Sequence, residues 1–263
     1  MANKQPALFI PHGGGPCFFM DDPTGMWTGM ADFLQGLPET LPEKPKAILV
    51  ISGHWETDGF TVTGTPKPEL VFDYFGFPEH TYKLKYDAPG APELAQKVAS
   101  LLAEAGLLSQ IDPTRGLDHG VFVPLKVAFP EADIPVVEMS VDGKLDPALH
   151  LAAGRALASL REEGVLIVAT GMSFHNMRGY NDPRFTVPSE QFDAWLTESL
   201  ALQGSDRDER LNSREQAPAA RLAHPDAEHL LPVMIAAGAA TGSGKKIYAE
   251  HVFQTAISGF RFD

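Results

Sequence analysis

His12 follows the apolar run ALFI and precedes three glycines in IPHGGGP; His54 follows LVISG, and His175 closes LIVATGMSFH. Imidazole is the commonest metal ligand and the side chain whose ordinary pKa lies nearest neutrality, so a set of them can bind a metal or move protons. A lone histidine is more often a structural or surface group. Recurrence behind three separate apolar runs favours one shared site, because ligands of open α/β sheets bind beyond the carboxyl ends of the strands. His119 in LDHGVFVPL, with Asp118 beside it to orient its ring, and His229 in AHPDAEHLLP join the set.

Glu228 and His229 pose a choice. A helix from Pro225 to about Gly238 turns about 100° per residue, which puts His224 and Glu228 about 40° apart and His224 and His229 about 140° apart. They cannot all face one point. His224, just before the proline, reads as a structural or capping residue, and Glu228 and His229 compete for the inward position. His80 reads as a turn residue, His150 as lying on the polar side of its helix and His251 as part of the last strand. Cys17 reads as a small buried side chain, since nothing beside it marks a lowered thiol pKa.

The elements that must hold these histidines are legible from periodicity. PALFI (6–10), AILVISG (47–53), FTVTG (60–64), IPVVEMSV (134–141), VLIVATG (165–171) and KIYAEHVF (246–253) read as strands, several buried on both faces. Helices are expected over 91–106, with Pro92 at the start and Gly106 at the end, and over 146–164, where Asp146 caps, Pro147 opens and Gly164 terminates. Two more are expected within 188–202 and from Pro225 to about Gly238. The segment 204–221 is charged and reads as a solvated helix or loop. Strands alternating with helices predict one α/β domain, residues 1–263, with a central mixed, largely parallel sheet flanked by helices.

Composition narrows the partners. The chain has 263 residues, 44% of them hydrophobic, and 34 acidic against 21 basic side chains give a net charge of −13. With no Lys/Arg-rich stretch to track phosphates, nucleic acid and anionic membranes are poor partners. A single cysteine and the lack of a signal-like or membrane-spanning run lead to the expectation of a cytoplasmic protein, and its oligomeric state, monomer or small homo-oligomer, stays open.

Two partial motifs fail. HGGG resembles an esterase oxyanion loop, but GMSFH has a histidine where a nucleophile elbow needs its last glycine. TGSGKK lacks the first glycine of a phosphate loop, where Ala239 stands, and follows a helix.

Taken in order, ALFIPHGGGP, VISGHW, FGFPEHTYKLKYDAPGAPELA, GLDHGVFVPL, DIPVVEMSV, ATGMSFHNM and HPDAEHLLPVMIAAGAA resemble the 4,5-DOPA extradiol dioxygenase family, of the class III, LigB-like ring-opening superfamily. The resemblance runs from about residue 6 to the last strand. It implies the class III α/β fold, one divalent metal ion at one end of the sheet, and ring opening of a catechol such as DOPA. Both atoms of O2 would enter a muconic semialdehyde type product. It implies His12, His54 and His229 as metal ligands, His175 as general base or additional ligand, and His119 on the oxygen and substrate side. The wider superfamily places glutamate at the third ligand position and the DOPA-type branch histidine; this chain has both, and His229 is preferred over Glu228. Fe(II) suits oxygen chemistry, and Zn(II) is the alternative as isolated; zinc has no redox chemistry. A zinc hydrolase or a non-catalytic metal-binding protein on the same scaffold are the competing readings. Tyr74 and Tyr82 either border the pocket or pack as ordinary loop aromatics.

Overall fold

The computed structural model describes residues 4–263. In chain order the elements are β1 (Ala7–Pro11), α1 (Thr28–Gly36), β2 (Ala47–Thr57), β3 (Phe60–Thr63), α2 (Pro92–Glu104), β4 (Ser109–Asp112), α3 (His119–Ala128) and β5 (Val136–Asp142). They continue with α4 (Pro147–Leu157), β6 (Val165–Gly171), α5 (Thr186–Ala201), α6 (Gly204–Asn212), α7 (Ala220–Ala223), α8 (Leu231–Gly238), β7 (Gly244–Val252) and β8 (Thr255–Phe262). Eight strands form one mixed sheet in the order β4-β3-β5-β2-β6-β1-β8-β7. The α/β expectation with a mixed, largely parallel sheet is met.

The apolar strands sit where their sequences require. Every residue of β1, β5 and β6 is buried, as continuous Val/Ile/Leu runs demand when helices cover both faces. β2, β6 and β1 are parallel neighbours, with Ser52 opposite Thr170 and Pro11 opposite Gly171. Their carboxyl ends are therefore level, and His12, His54 and His175 stand at one end of the sheet. His54 is not beyond its strand, as expected from sequence: β2 runs on to Thr57, with a register shift against β5 between Ile51 and Glu56. That irregularity re-aims the strand at the site, a common use of a bulge.

The helix starts are partly as read. The Asp146 side chain accepts a hydrogen bond from the Ala148 amide at 2.9 Å, and Gly164 closes the segment in the left-handed region at φ 91°. The Pro225 helix is a correction. Residues 225–230 form turns, and α8 begins only at Leu231, so the helical angles that set Glu228 against His229 do not apply. The 204–221 segment is also less solvated than its charge suggests. Arg207 and Leu211 of α6 are buried, and the Arg207 guanidinium donates to the carbonyls of Gly242 and Ala240.

Among the described residues, no helix is long and apolar enough to cross a membrane. Arg161 lies fully inside the protein and donates to the carbonyls of Gln5, Ala239 and Phe262. One side chain thus ties the entry to β1, the end of α8 and the end of β8.

His150 is buried, contrary to its sequence reading as a polar-face residue. Its Nδ1 hydrogen bonds the Asp146 carbonyl at 2.7 Å while its Nε2 accepts from the Asp142 amide at 3.2 Å, and Phe60 packs edge-on against the ring. These partners select the neutral Nδ1–H tautomer. Burial holds its pKa below the ordinary 6.5. A depressed folded-state pKa gives stability that is complete above the unfolded value and is lost as pH falls through it. Urea midpoints of the parent protein should therefore fall between pH 7 and pH 5 more steeply than those of His150→Gln; parallel pH profiles would refute this.

Candidate metal centre

His12 leaves β1 at the level of Gly171, whose carbonyl accepts from the His12 amide. The chain then turns through Gly13 and Gly15, at φ 79° and 52°, a left-handed geometry that glycine adopts without strain. A Cβ on Gly15 would stand 2.8 Å from the Phe77 ring. The glycine run thus bends the backbone away from His12 and lets an aromatic loop approach it.

His229 reaches the same point from the turn before α8, which lies across the strand ends. The Met172 amide donates to the His229 carbonyl, and the His175 amide to that of Ala223. A Cβ on Gly53 would come within 2.8 Å of the Glu228 carbonyl oxygen, and one on Gly171 would collide with the His229 carbonyl. Only glycine at these strand ends permits so close a crossing. Because the turn is not helical, Glu228 and His229 both reach the site.

Five imidazoles converge here. The ring centroids of His12 lie 4.8 Å from His54, 5.2 Å from His229 and 5.5 Å from His119. His175 stacks on His229 at 3.4 Å, and the Nε2 atoms of His54 and His229 approach to 3.1 Å. Each of His12, His54 and His229 offers a nitrogen within 4.8 Å of the others. Burial foremost, then repulsion among the imidazoles, lowers the pKa of His12 well below 6.5 and brings that of His54 to about 4; burial also lowers that of His229. All three are neutral near pH 7, the state in which imidazole can ligate.

His12 provides the test of fit for a metal. Both of its ring nitrogens are buried, and neither has a hydrogen-bond partner among the described residues. An unsatisfied buried polar group costs about 1–3 kcal/mol. An ion bound by His12, His54 and His229 would satisfy one nitrogen of His12 and separate the two facing Nε2 atoms. The residues fit a metal through three nitrogens, leaving other coordination positions open.

Two carboxylates orient the rings. Glu228 Oε1 lies 2.8 Å from His229 Nδ1 and 3.4 Å from His175 Nδ1. Burial disfavours the charged form of Glu228, but hydrogen bonding to these two histidines outweighs it and holds the carboxyl well below its usual range. Asp73 Oδ1 lies 2.7 Å from His119 Nδ1 and also accepts from the His119 amide, while its other oxygen is 3.7 Å from His54 Nδ1. With the Nδ1 protons turned to carboxylates, the Nε2 atoms are free for a metal or a substrate. Asp118 does not orient His119, as its position in the sequence suggested. Its carboxylate takes the Ser52 hydroxyl at 2.8 Å and Arg115 at 3.2 Å, while Asp73 supplies the histidine's partner from a distant loop.

The remaining sequence readings divide. His224 is buried with Nε2 2.9 Å from the Ser173 carbonyl, and burial lowers its pKa to about 3, in keeping with a structural role. It caps the end of α7, not the start of a helix at Pro225. His80 and His251 lie outside the cluster, near the Phe19 carbonyl and the Glu190 carboxylate. Burial pushes the Cys17 thiol up to about 12, which suits an inert packing residue. Tyr74 lines the cavity above the histidines, whereas Tyr82 sits behind it and its hydroxyl accepts from the Phe77 amide.

Comparison with known proteins identifies the family. Residues 6–260 match the family model described as the catalytic LigB subunit of aromatic ring-opening dioxygenase. The chain is 41% identical over 247 residues to a 4,5-DOPA dioxygenase extradiol of Beta vulgaris, covering 92% of this chain and 90% of that protein. It is 35% identical over 246 residues to a protein of the same name from Escherichia coli (strain K12), covering 92% and 87%. A crystal structure of an uncharacterized protein from Escherichia coli K12 superposes with a TM-score of 0.78 at 30% identity, covering 99% of this chain and 100% of that one. Motif order, sheet topology and these matches agree that the chain belongs to the LigB family of aromatic ring-opening dioxygenases and is an enzyme of that class.

Proposed function

We propose that the enzyme cleaves a catechol ring extradiol, beside the diol, with DOPA as the substrate named for several relatives. The whole chain, 1–263, would act as one catalytic domain. One ring C–C bond breaks, both atoms of O2 enter a muconic semialdehyde type product, and O2 is itself the oxidant, so no further reductant is required. The observation that carries this reading is the buried His12, its two ring nitrogens unpartnered beside His54 and His229. These three residues would hold a divalent metal, for which Fe(II) fits the oxygen chemistry better than Zn(II), since zinc lacks redox chemistry. When bound, the iron would supply the electron transfer that no side chain here can perform.

The protein's own groups then handle protons. A phenolic hydroxyl has a pKa of about 10 in water, so ring opening near pH 7 needs a base. His175 faces the cavity with its Nδ1 toward Glu228, leaving Nε2 to accept that proton, and the Glu228 carboxylate stabilises the resulting imidazolium. His119, oriented by Asp73, stands on the other side of the cluster, where its Nε2 can accept a hydrogen bond from the substrate.

Three outcomes test this reading. Iron-loaded protein should consume O2 with catechols and form a yellow ring-opened product; the absence of turnover across a catechol panel would reject it. His229→Ala should lose the metal, while Glu228→Ala should keep it with affinity reduced about 10–100-fold, as for a residue that orients a ligand. Metal analysis with the opposite ranking would make Glu228 the ligand. His175→Ala should retain metal and lower kcat about 10²–10⁴-fold; an unchanged kcat would remove His175 from the proton transfer.

A further inference from the structure

The cavity above the histidines has a volume of about 480 Å³. That lies within the roughly 300–1,000 Å³ of sites for drug-sized ligands and exceeds the needs of a single catechol ring. Apart from the imidazoles, its side-chain lining is aromatic or aliphatic. Among the described residues, no lysine, arginine, aspartate or glutamate side chain lines it. The two phenols in the wall offer little polarity: Tyr74 donates its hydroxyl to the Thr81 carbonyl at 2.7 Å, and Tyr180 donates to that of Phe174 at 3.0 Å.

Phe253 shows that the wall is built. Phe253 and Gln254 form the β7–β8 turn with φ of 50° and 66°, where hairpins normally place Asn or Gly. Such strain persists only where the surrounding structure enforces it and often marks a functional position. The Phe253 ring packs edge-on against Trp27 and tilted against Tyr180, each at 5.3 Å, and lines the cavity. At the mouth, Phe75 and Met177 are 91% and 70% exposed, so an apolar path runs from the histidines to solvent.

Resting on the ring-opening reading, we infer that the preferred substrate is a catechol with an extended, uncharged, apolar substituent. Phe253 and Trp27 flank that substituent, and Phe75 and Met177 meet its outer end. A carboxylate or ammonium group on the substituent would lose hydration and find no side-chain partner of opposite charge, a costly burial. A carboxylate would also face the field of Asp73 and Glu228 behind the imidazoles. An alkyl substituent of three or four carbons gains instead from leaving water.

The test compares catechol, 4-butylcatechol, L-DOPA and 3,4-dihydroxyphenylacetate on the iron-loaded full chain, by oxygen uptake and by anaerobic quenching of tryptophan fluorescence. We expect kcat/KM for 4-butylcatechol to exceed that of either charged catechol by about tenfold or more, mainly through KM, with the same order of anaerobic Kd values. A charged catechol that binds and reacts as well or better overturns the inference. If no catechol turns over, the ring-opening reading fails, and the anaerobic Kd order alone decides the preference of the pocket. Phe253→Gly relieves the left-handed strain, so it should keep a melting temperature close to that of the parent while the preference for 4-butylcatechol shrinks several-fold. An unchanged preference would remove Phe253 from substrate selection.

Discussion

Five imidazoles in one partly enclosed cavity cannot all carry charge, and the rest of the site is arranged around that restriction. Protonating His12, His54 or His229 would place a cation in a buried space beside other imidazoles. Burial and mutual repulsion therefore keep these three neutral. A neutral ring must still choose which nitrogen holds its proton. Glu228 makes that choice for His229, and Asp73 makes it for the neighbouring His119, each by accepting at Nδ1.

The sheet makes such crowding affordable. Three adjacent parallel strands end level, so histidines from β1, from the irregular end of β2 and from beyond β6 meet without long loops to order. The fourth contributor, the turn carrying Glu228 and His229, lies on top because Gly53 and Gly171 offer no side chain to hold it off. Aromatic loops then roof the site, with Phe77 against Gly15 and Trp27 against Phe253. Backbone contact thus positions the polar floor, and side-chain packing shapes the apolar walls.

The sequence makes the floor more legible than its supports. His12, His54 and His175 stand out because each follows an apolar strand pattern, and His119 and His229 are carried by motif resemblance. Asp73 gives no such signal: it serves a histidine 46 residues away through a contact that only the tertiary fold creates. Asp118 is the nearer carboxylate in sequence, yet Ser52 and Arg115 occupy it. Helical angles misled at Glu228 because Pro225 opens a turn, and the helix waits until Leu231. β8 has no turn signal ahead of it in the sequence, because its hairpin turn is Phe253-Gln254, without the usual Asn or Gly. Arg161 and His150 look like surface residues by type, and become interior ones because carbonyls and amides from several elements satisfy them.

The turn across β6 has a further consequence in the order of chain assembly. His12 and His54 lie in the first quarter of the chain, and His229 follows His54 by 175 residues. A polypeptide emerging from synthesis therefore offers two of the proposed ligands long before the third, and the third reaches them only after β6 is in the sheet to receive the Met172 contact. On the proposed ligand set, tight metal capture waits until the parallel strands β1, β2 and β6 are in place. A metal bridging so long a loop would resist the first steps of unfolding.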